Sequence, residues 1–222
     1  MSPNSGVIFD MDGLMVDTER IARLAWQQTS HEAGYEMPND VFSLMIGRSK
    51  RDSGELMRQR LGPGFDFERV HTATGILFEK IVARDGLPLK PGIRELLDDL
   101  SARKIPLGVA TSTRNPVASQ RLEQIGLLNC FTVVVTGDQV TRGKPEPDIY
   151  LEAVRRLGID ARASYALEDS FAGVRSAHAA GLRVIMVPDL LQPIPEIAAL
   201  THAVAKSLHD ARLLFREGQP PA

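Results

Sequence analysis

Five short runs of apolar, often β-branched residues punctuate the chain: Val7–Phe9, Leu107–Ala110, Thr132–Val135, Ser164–Leu167 and Arg183–Val187. They show little alternation between apolar and polar positions. A strand with one wet face alternates, so these runs read as strands buried on both faces, the habit of a parallel sheet. Between the later runs, apolar residues recur every three or four positions, the period of a helix with one buried face. The stretch Ile93–Lys104 puts Ile93, Leu96, Leu97 and Leu100 on one stripe, and Val117–Ile125 and Ile149–Leu157 repeat the spacing. Gly126 and Gly158 close the latter two, as helix C-termini favour. An alanine-rich helix is read at Phe171–Ala180, ending at Gly181. Strand alternating with helix over short joins predicts an α/β fold, a Rossmann-like core on a mainly parallel sheet.

That rhythm fails between the first run and the second. From Asp17 to Ala83 the periodicity is helical throughout, with segments at Thr18–Glu32, Asn39–Met45, Ser49–Leu61 and Phe67–Ala83. The stretch Leu87-Pro88-Leu89-Lys90-Pro91-Gly92 then brings the chain back. The expected organisation is a core domain of residues 1–16 and 84–222 with a small α-helical cap inserted at 17–83. Hinges are expected near Val16 and Gly86, and a frayed tail over Glu217–Ala222.

Composition narrows the partners. The 222 residues suit one main domain plus a smaller insertion. A 43 % apolar and 24 % charged chain can bury an ordinary globular core. The net charge is −2 with dispersed Lys and Arg, which argues against a nucleic-acid partner. Cys130 is the single cysteine, so neither an intrachain disulfide nor a cysteine-based zinc site can form, and a reducing cytoplasm is the natural setting. Cys130 itself reads as a small apolar residue beside a strand. The opening MSPNSGVIFDMDG is unlike a signal peptide, and no apolar run approaches the roughly 20 residues of a membrane span. A cytoplasmic monomer or weak dimer, with no membrane partner, is expected.

In open parallel sheets, ligands bind beyond the carboxyl ends of the strands. Asp10-Met11-Asp12-Gly13 follows the first strand and Thr111-Ser112-Thr113 the second. Gly143-Lys144-Pro145 comes eight or nine residues after the third, and Glu168-Asp169-Ser170 follows the fourth. Acids, hydroxyls and one lysine thus converge on one edge, and phosphoryl transfer suits them. A carboxylate can attack phosphorus and form an aspartyl-phosphate. Mg²⁺ held by one or two carboxylates balances the charge of the group in flight, with lysine as a second cation. Hydroxyls and backbone N–H groups hold the remaining phosphate oxygens. Asp10 and Asp12 are two apart, so an extended strand end points both the same way. One would attack while the other protonates the leaving oxygen, and Gly13 would let the backbone turn away.

These residues resemble the four motifs of the haloacid dehalogenase (HAD) superfamily, in order and over essentially the whole chain. The helical insertion sits where that family's first cap type sits. The stretches DMDGLMVDTE, GKPEPDIY and EDSFAGVRSAHAAG are most similar to its β-phosphoglucomutase-like phosphatases. The resemblance implies Asp10 as nucleophile and Mg²⁺ ligand, and Asp12 as acid/base that also offers a backbone carbonyl to the metal. It implies Thr111 and the Ser112 amide, with Gly13, at the phosphate, and Lys144 bridging phosphate and Asp10. Asp169 would be a metal ligand, and Glu168 would bind or orient the metal, directly or through water. Its cap arginine corresponds to Lys50, beside Arg48 and Arg51, so Arg48 and Lys50 are candidate substrate contacts.

Two departures from the mutase favour a hydrolase. Its cap histidine aligns with Ala22, and no lysine stands near Ala73 and Thr74, where its cap lysine falls. The implied activity is Mg²⁺-dependent hydrolysis of a small phosphorylated metabolite, a sugar phosphate or nucleotide-like monoester. ATSTR and VIMVPD also resemble the pseudouridine-5′-phosphatase branch. The alternatives are a β-phosphoglucomutase-type isomerase and a phospho-accepting signalling module without turnover. The stretch from Gly137 to Pro145 imitates a P-loop, but it is one residue too long and has proline in place of the metal-binding Ser/Thr. His31, His71, His178, His202 and His209 lack metal-ligand spacing. Trp26 and Met45 read as cap packing residues.

Overall fold

The structure is a computed structural model that describes residues 4–46 and 50–216. Six parallel strands form one sheet: β1 (Val7–Phe9), β2 (Leu107–Thr111), β3 (Val133–Thr136), β4 (Tyr165–Glu168), β5 (Arg183–Met186) and β6 (Ala203–Val204). Their order is β3-β2-β1-β4-β5-β6, so β1 is central, and the order reverses beside it. Phe9 pairs with Val109 on one side and Leu167 on the other. Residues just beyond these three strand ends are therefore neighbours.

The lack of alternation in the strands reflects cover on both faces. Ile8, Ala110 and Ala166 are fully buried with Tyr150 and Ala153 of α7 (Asp148–Leu157) and Val174 and Ala177 of α8 (Phe171–Ala179). On the other face, Tyr165 meets Phe215 of α10 (Leu208–Arg216) edge-on, with ring centroids 5.3 Å apart. There α5 (Ile93–Ala102) packs on α10, and its stripe of Ile93, Leu96, Leu97 and Leu100 is buried. Asp99 of α5 takes paired hydrogen bonds from Arg216 and Arg212. These hold its carboxyl well below the usual carboxylate range.

The chain divides into two compact units, Met1–Asp17 with Pro88–Ala222, and Thr18–Leu87. The smaller contains α1 (Thr18–Glu32), α2 (Asn39–Met45), α3 (Lys50–Leu61) and α4 (Phe67–Asp85) around Val41, Phe42, Met45, Met57, Phe65, Phe67 and Val70. Trp26 stacks on Phe67 at 5.7 Å and meets His71 edge-on. The two connecting segments of the larger unit pair with each other. The Asp17 N–H donates to Pro88 and the Lys90 N–H to Met15.

The limits of β1, α1 and α2 match the sequence reading, and those of the other expected elements differ from it by one or two residues. The short edge strand β6 and the helices α9 (Pro195–Ala198) and α10 are additions. Two residues of strand carry no periodicity to read. Gly158, the residue after α7, takes the left-handed conformation at φ 66°, as a helix stop requires.

Candidate active site

Asp10 follows β1 directly, and its N–H still donates to the Leu167 carbonyl at 3.0 Å. The residue is thus held at the carboxyl edge of the sheet, and only 6 % of it is exposed. The next six residues turn tightly. Met11, Leu14, Met15 and Val16 are buried, and the Gly13 N–H donates to Val16 at 2.9 Å. Gly13 sits at φ 85°, and a Cβ there would overlap a carboxylate oxygen of Asp169. Glycine is needed both for the turn and for the approach of Asp169.

Lys144 arrives from the segment between β3 and α7. Its Nζ donates to Asp10 Oδ1 at 2.5 Å and to Glu168 Oε1 at 2.6 Å, with the lysine side chain 6 % exposed. Tyr150 lies in the first turn of α7 and is fully buried. Its hydroxyl donates to Glu168 Oε1 at 2.7 Å, and the lysine ammonium lies 5.1 Å from its ring centroid. Glu168 Oε2 accepts from Asp169 N at 3.1 Å, Ser170 N at 3.3 Å and Ser170 Oγ at 3.1 Å. Ser170 also caps α8, accepting from Gly173 N at 3.0 Å. A Cβ at Gly173 would overlap the Glu168 carboxylate. Glycine at 173 therefore leaves the room that the Glu168 carboxylate occupies.

Burial is the largest influence on Asp10. It pushes the carboxyl up to about 7, against the pull of Lys144 and with the repulsion of Glu168. Burial lowers Lys144, but Asp10 and Glu168 together raise its ammonium above the usual lysine range. Burial and the Glu168 charge push the Tyr150 phenol well up, so it remains a donor.

Asp12 faces the end of β2. Its Oδ2 accepts from Thr113 Oγ1 at 2.7 Å and Thr111 Oγ1 at 3.4 Å. Its Oδ1 accepts from Arg121 Nη1 at 3.3 Å. Thr111 is 1 % exposed and itself accepts from Thr113 N at 3.1 Å. The Ser112 backbone passes so close to Gly137 that a Cβ there would overlap the Ser112 carbonyl.

Among the described residues, Asp10, Glu168 and Asp169 form the one acidic group able to hold a metal ion, with ligand atoms within 4.8 Å of one another. Oxygen donors alone suit a hard divalent cation. The five histidines belong elsewhere in the described structure. His31 pairs with Glu36, His71 packs on Trp26 and Phe67, and His178 bonds the Leu200 carbonyl. His202 packs on Tyr165, and His209 lies against Gly92.

The larger unit thus brings together Asp10, Asp12, Gly13, Thr111, Lys144, Glu168 and Asp169. Lys50 lies in the smaller unit, paired with Glu68 at 2.7 Å. It lines a cavity of about 320 Å³ there with Ala22, Trp26, Met45, Ser53 and His71. Arg48 lies outside the described residues, as do Gly47 and the tail from Glu217. The sequence reading missed Thr113, Arg121 and Tyr150 as site residues. Arg121 had a signal: it shares the stripe of Ala118, Leu122 and Ile125, buried positions of α6 (Val117–Gln124) and its cap where a charge is out of place. Tyr150 had none, because a tyrosine on a buried stripe reads as core.

The haloacid dehalogenase-like hydrolase family model matches residues 7–187. The chain belongs to that family of hydrolases. The phosphorylated carbohydrates phosphatase of Thermotoga maritima is 31 % identical over 96 % of this chain and 90 % of its own. Protein CbbY of Rhodobacter capsulatus is 34 % identical over 82 % of this chain and 84 % of its own. The crystal structure of CbbY from Rhodobacter sphaeroides in complex with phosphate superposes with a TM-score of 0.75. It is 28 % identical and covers 93 % of this chain and 95 % of that one. No helix among the described residues is long and apolar enough to cross a membrane.

Proposed function

We propose that the chain is a Mg²⁺-dependent phosphatase of small phosphorylated carbohydrates, working through an aspartyl-phosphate on Asp10. The observation that carries this reading is the Asp10–Lys144–Glu168 contact, with Asp169 within ligand distance on the same sheet edge. One buried carboxylate is held by a lysine and flanked by a cluster of hard oxygen donors, which suits attack on an anionic group. The name of the Thermotoga relative supports the substrate class, and the phosphate in complex with CbbY supports a phosphate-binding site.

Each residue then has a task. Asp10 attacks phosphorus, forming an Asp10–phosphorus bond as the bond to the substrate oxygen breaks. Asp12 gives its proton to that oxygen. Asp12 next takes a proton from water, whose oxygen attacks the phosphorus and releases phosphate from Asp10. Thr111 and the Ser112 amide hold phosphate oxygens. Lys144 favours the ionised form of Asp10 against the effect of burial, and balances charge on the group in flight. Asp10, Asp169 and the Asp12 carbonyl would hold Mg²⁺, which when bound neutralises the phosphoryl oxygens. Glu168, the third member of the acidic group, would bind or orient the metal, and in this structure its two oxygens take five donors.

The smaller unit would act as the cap that excludes water and selects the substrate. Ala22 stands where the resemblance places the mutase's cap histidine, which favours hydrolysis over isomerisation. The test is phosphate release from a phosphomonoester panel with Mg²⁺, wild type beside Asp10→Asn. Release by the wild type alone supports the reading. No release by either protein, or equal release by both, overturns it.

A further inference from the structure

We infer that Arg121 is a positioning residue for Asp12, fixing which carboxylate oxygen exchanges the proton. This rests on the reading of Asp12 as acid/base. The inference stands on the geometry of the Asp12 carboxylate. Among the described residues, its Oδ2 carries two hydroxyl donors, Thr113 at 2.7 Å and Thr111 at 3.4 Å, and its Oδ1 carries one donor, Arg121 at 3.3 Å. A carboxylate offers about four acceptor positions, two on each oxygen. The position left open is therefore on Oδ1, the oxygen that Arg121 holds.

Arg121 comes from a different element than the threonines, so the carboxylate is gripped from two directions. A carboxylate held by Thr111 and Thr113 alone could still rotate about them. With Arg121 on the second oxygen, its plane is set. The residue's placement agrees with such a role. It stands on the stripe of α6 that also carries Ala118 and Leu122, both fully buried, and its own side chain is only 12 % exposed. An aliphatic side chain there would pack without desolvating a charge. The guanidinium stays charged at every working pH and is a rigid, planar donor, suited to orienting a carboxylate.

A group that only holds phosphate would serve all substrates alike. A group that aims the proton donor matters in proportion to how badly the leaving oxygen needs a proton. The experiment compares kcat/KM for an alkyl phosphomonoester and for 4-nitrophenyl phosphate, whose leaving group departs without protonation. The proteins are wild type, Arg121→Met, Arg121→Lys and Asp12→Asn, each with Mg²⁺. Arg121→Met is expected to lose about 10- to 100-fold on the alkyl ester, part of the roughly 10²–10⁴ that a general acid supplies. It should lose less than about threefold on the aryl ester, and Arg121→Lys should recover much of the loss. Inhibition by inorganic phosphate should be unchanged.

Equal losses on both esters, weakened phosphate inhibition or no loss at all would overturn the inference. If Arg121→Met does not fold, Arg121→Gln, which keeps a neutral donor, is read by the same criteria. Asp12→Asn separates the two levels. Leaving-group dependence in Asp12→Asn but not in the Arg121 variants sinks the inference alone. Its absence in Asp12→Asn sinks the reading of Asp12 itself.

Discussion

The ammonium of Lys144 lies 2.5 Å from Oδ1 of Asp10, and both side chains are almost wholly buried. The same ammonium reaches Glu168, whose side chain has no exposure. One cation therefore stands between two buried carboxylates. Lys144→Met leaves those charges facing each other. Removing one member of a buried ionic set costs about 3–5 kcal/mol. The variant should lose roughly that much stability in urea unfolding and about 10²–10³ in kcat, the loss typical of removing one preorganised charge-stabilising donor. Added Mg²⁺ should restore part of the stability and little of the rate. Unchanged stability without metal would contradict the assignment.

Asp10 ties metal binding to pH. Burial raises its carboxyl from 3.8 to about 7 in the metal-free protein. The folded state then keeps a proton that the unfolded chain loses, so metal-free stability falls as pH rises from about 4 to about 7. Mg²⁺ competes with that proton. Its stabilisation of the fold should therefore grow as pH rises through about 7. Urea midpoints with Mg²⁺ and with chelator, taken across this range, check the sign. A Mg²⁺ effect that shrinks with rising pH would contradict it.

Much of this site was legible from strand ends. Asp10, Thr111 and Glu168 each close or directly follow a short apolar run, and a parallel sheet brings such ends together. Lys144 was legible only through its neighbours Gly143 and Pro145, since nothing local aims a lysine eight residues beyond its strand. Tyr150 was hidden for a physical reason, and Arg121 showed only as a charge out of place on a buried stripe. Their helices put both on inward faces, and periodicity shows that a position faces inward but not what it meets there. The small edge strand Ala203–Val204 is specified by pairing to Ile185 and Met186, a partnership outside its own two residues.

Two glycines in helices should respond in opposite ways to alanine. Gly173 lies against Glu168, where a Cβ would overlap the carboxylate. Gly173→Ala should displace Glu168 and abolish most activity. Gly75, inside α4, has nothing within 4 Å of a Cβ. Gly75→Ala should raise stability by about 0.5–1 kcal/mol through helix propensity, with activity intact. Thermal unfolding and phosphate release on both variants test the pair.

The cavity of the smaller unit yields a specificity prediction. Lys50 and Ser53 offer hydrogen-bond donors among the aromatic and apolar lining of Trp26, Phe42 and Phe67. Lys50→Ala and Ser53→Ala should alter relative kcat/KM among sugar phosphates by about 10-fold, roughly 1–2 kcal/mol of differential binding. Hydrolysis of 4-nitrophenyl phosphate should change little. A uniform loss across all substrates would place these residues outside recognition.

The central claim is covalent chemistry at Asp10. The direct measurement is a rapid-quench reaction with a sugar phosphate and Mg²⁺, followed by mass spectrometry of the peptide that carries Asp10. A phosphoryl group should appear on Asp10 of the wild type within one turnover and be absent from Asp10→Asn, which should also release no phosphate. Full phosphate release by Asp10→Asn, or a phosphoryl group trapped on another residue, would contradict the account.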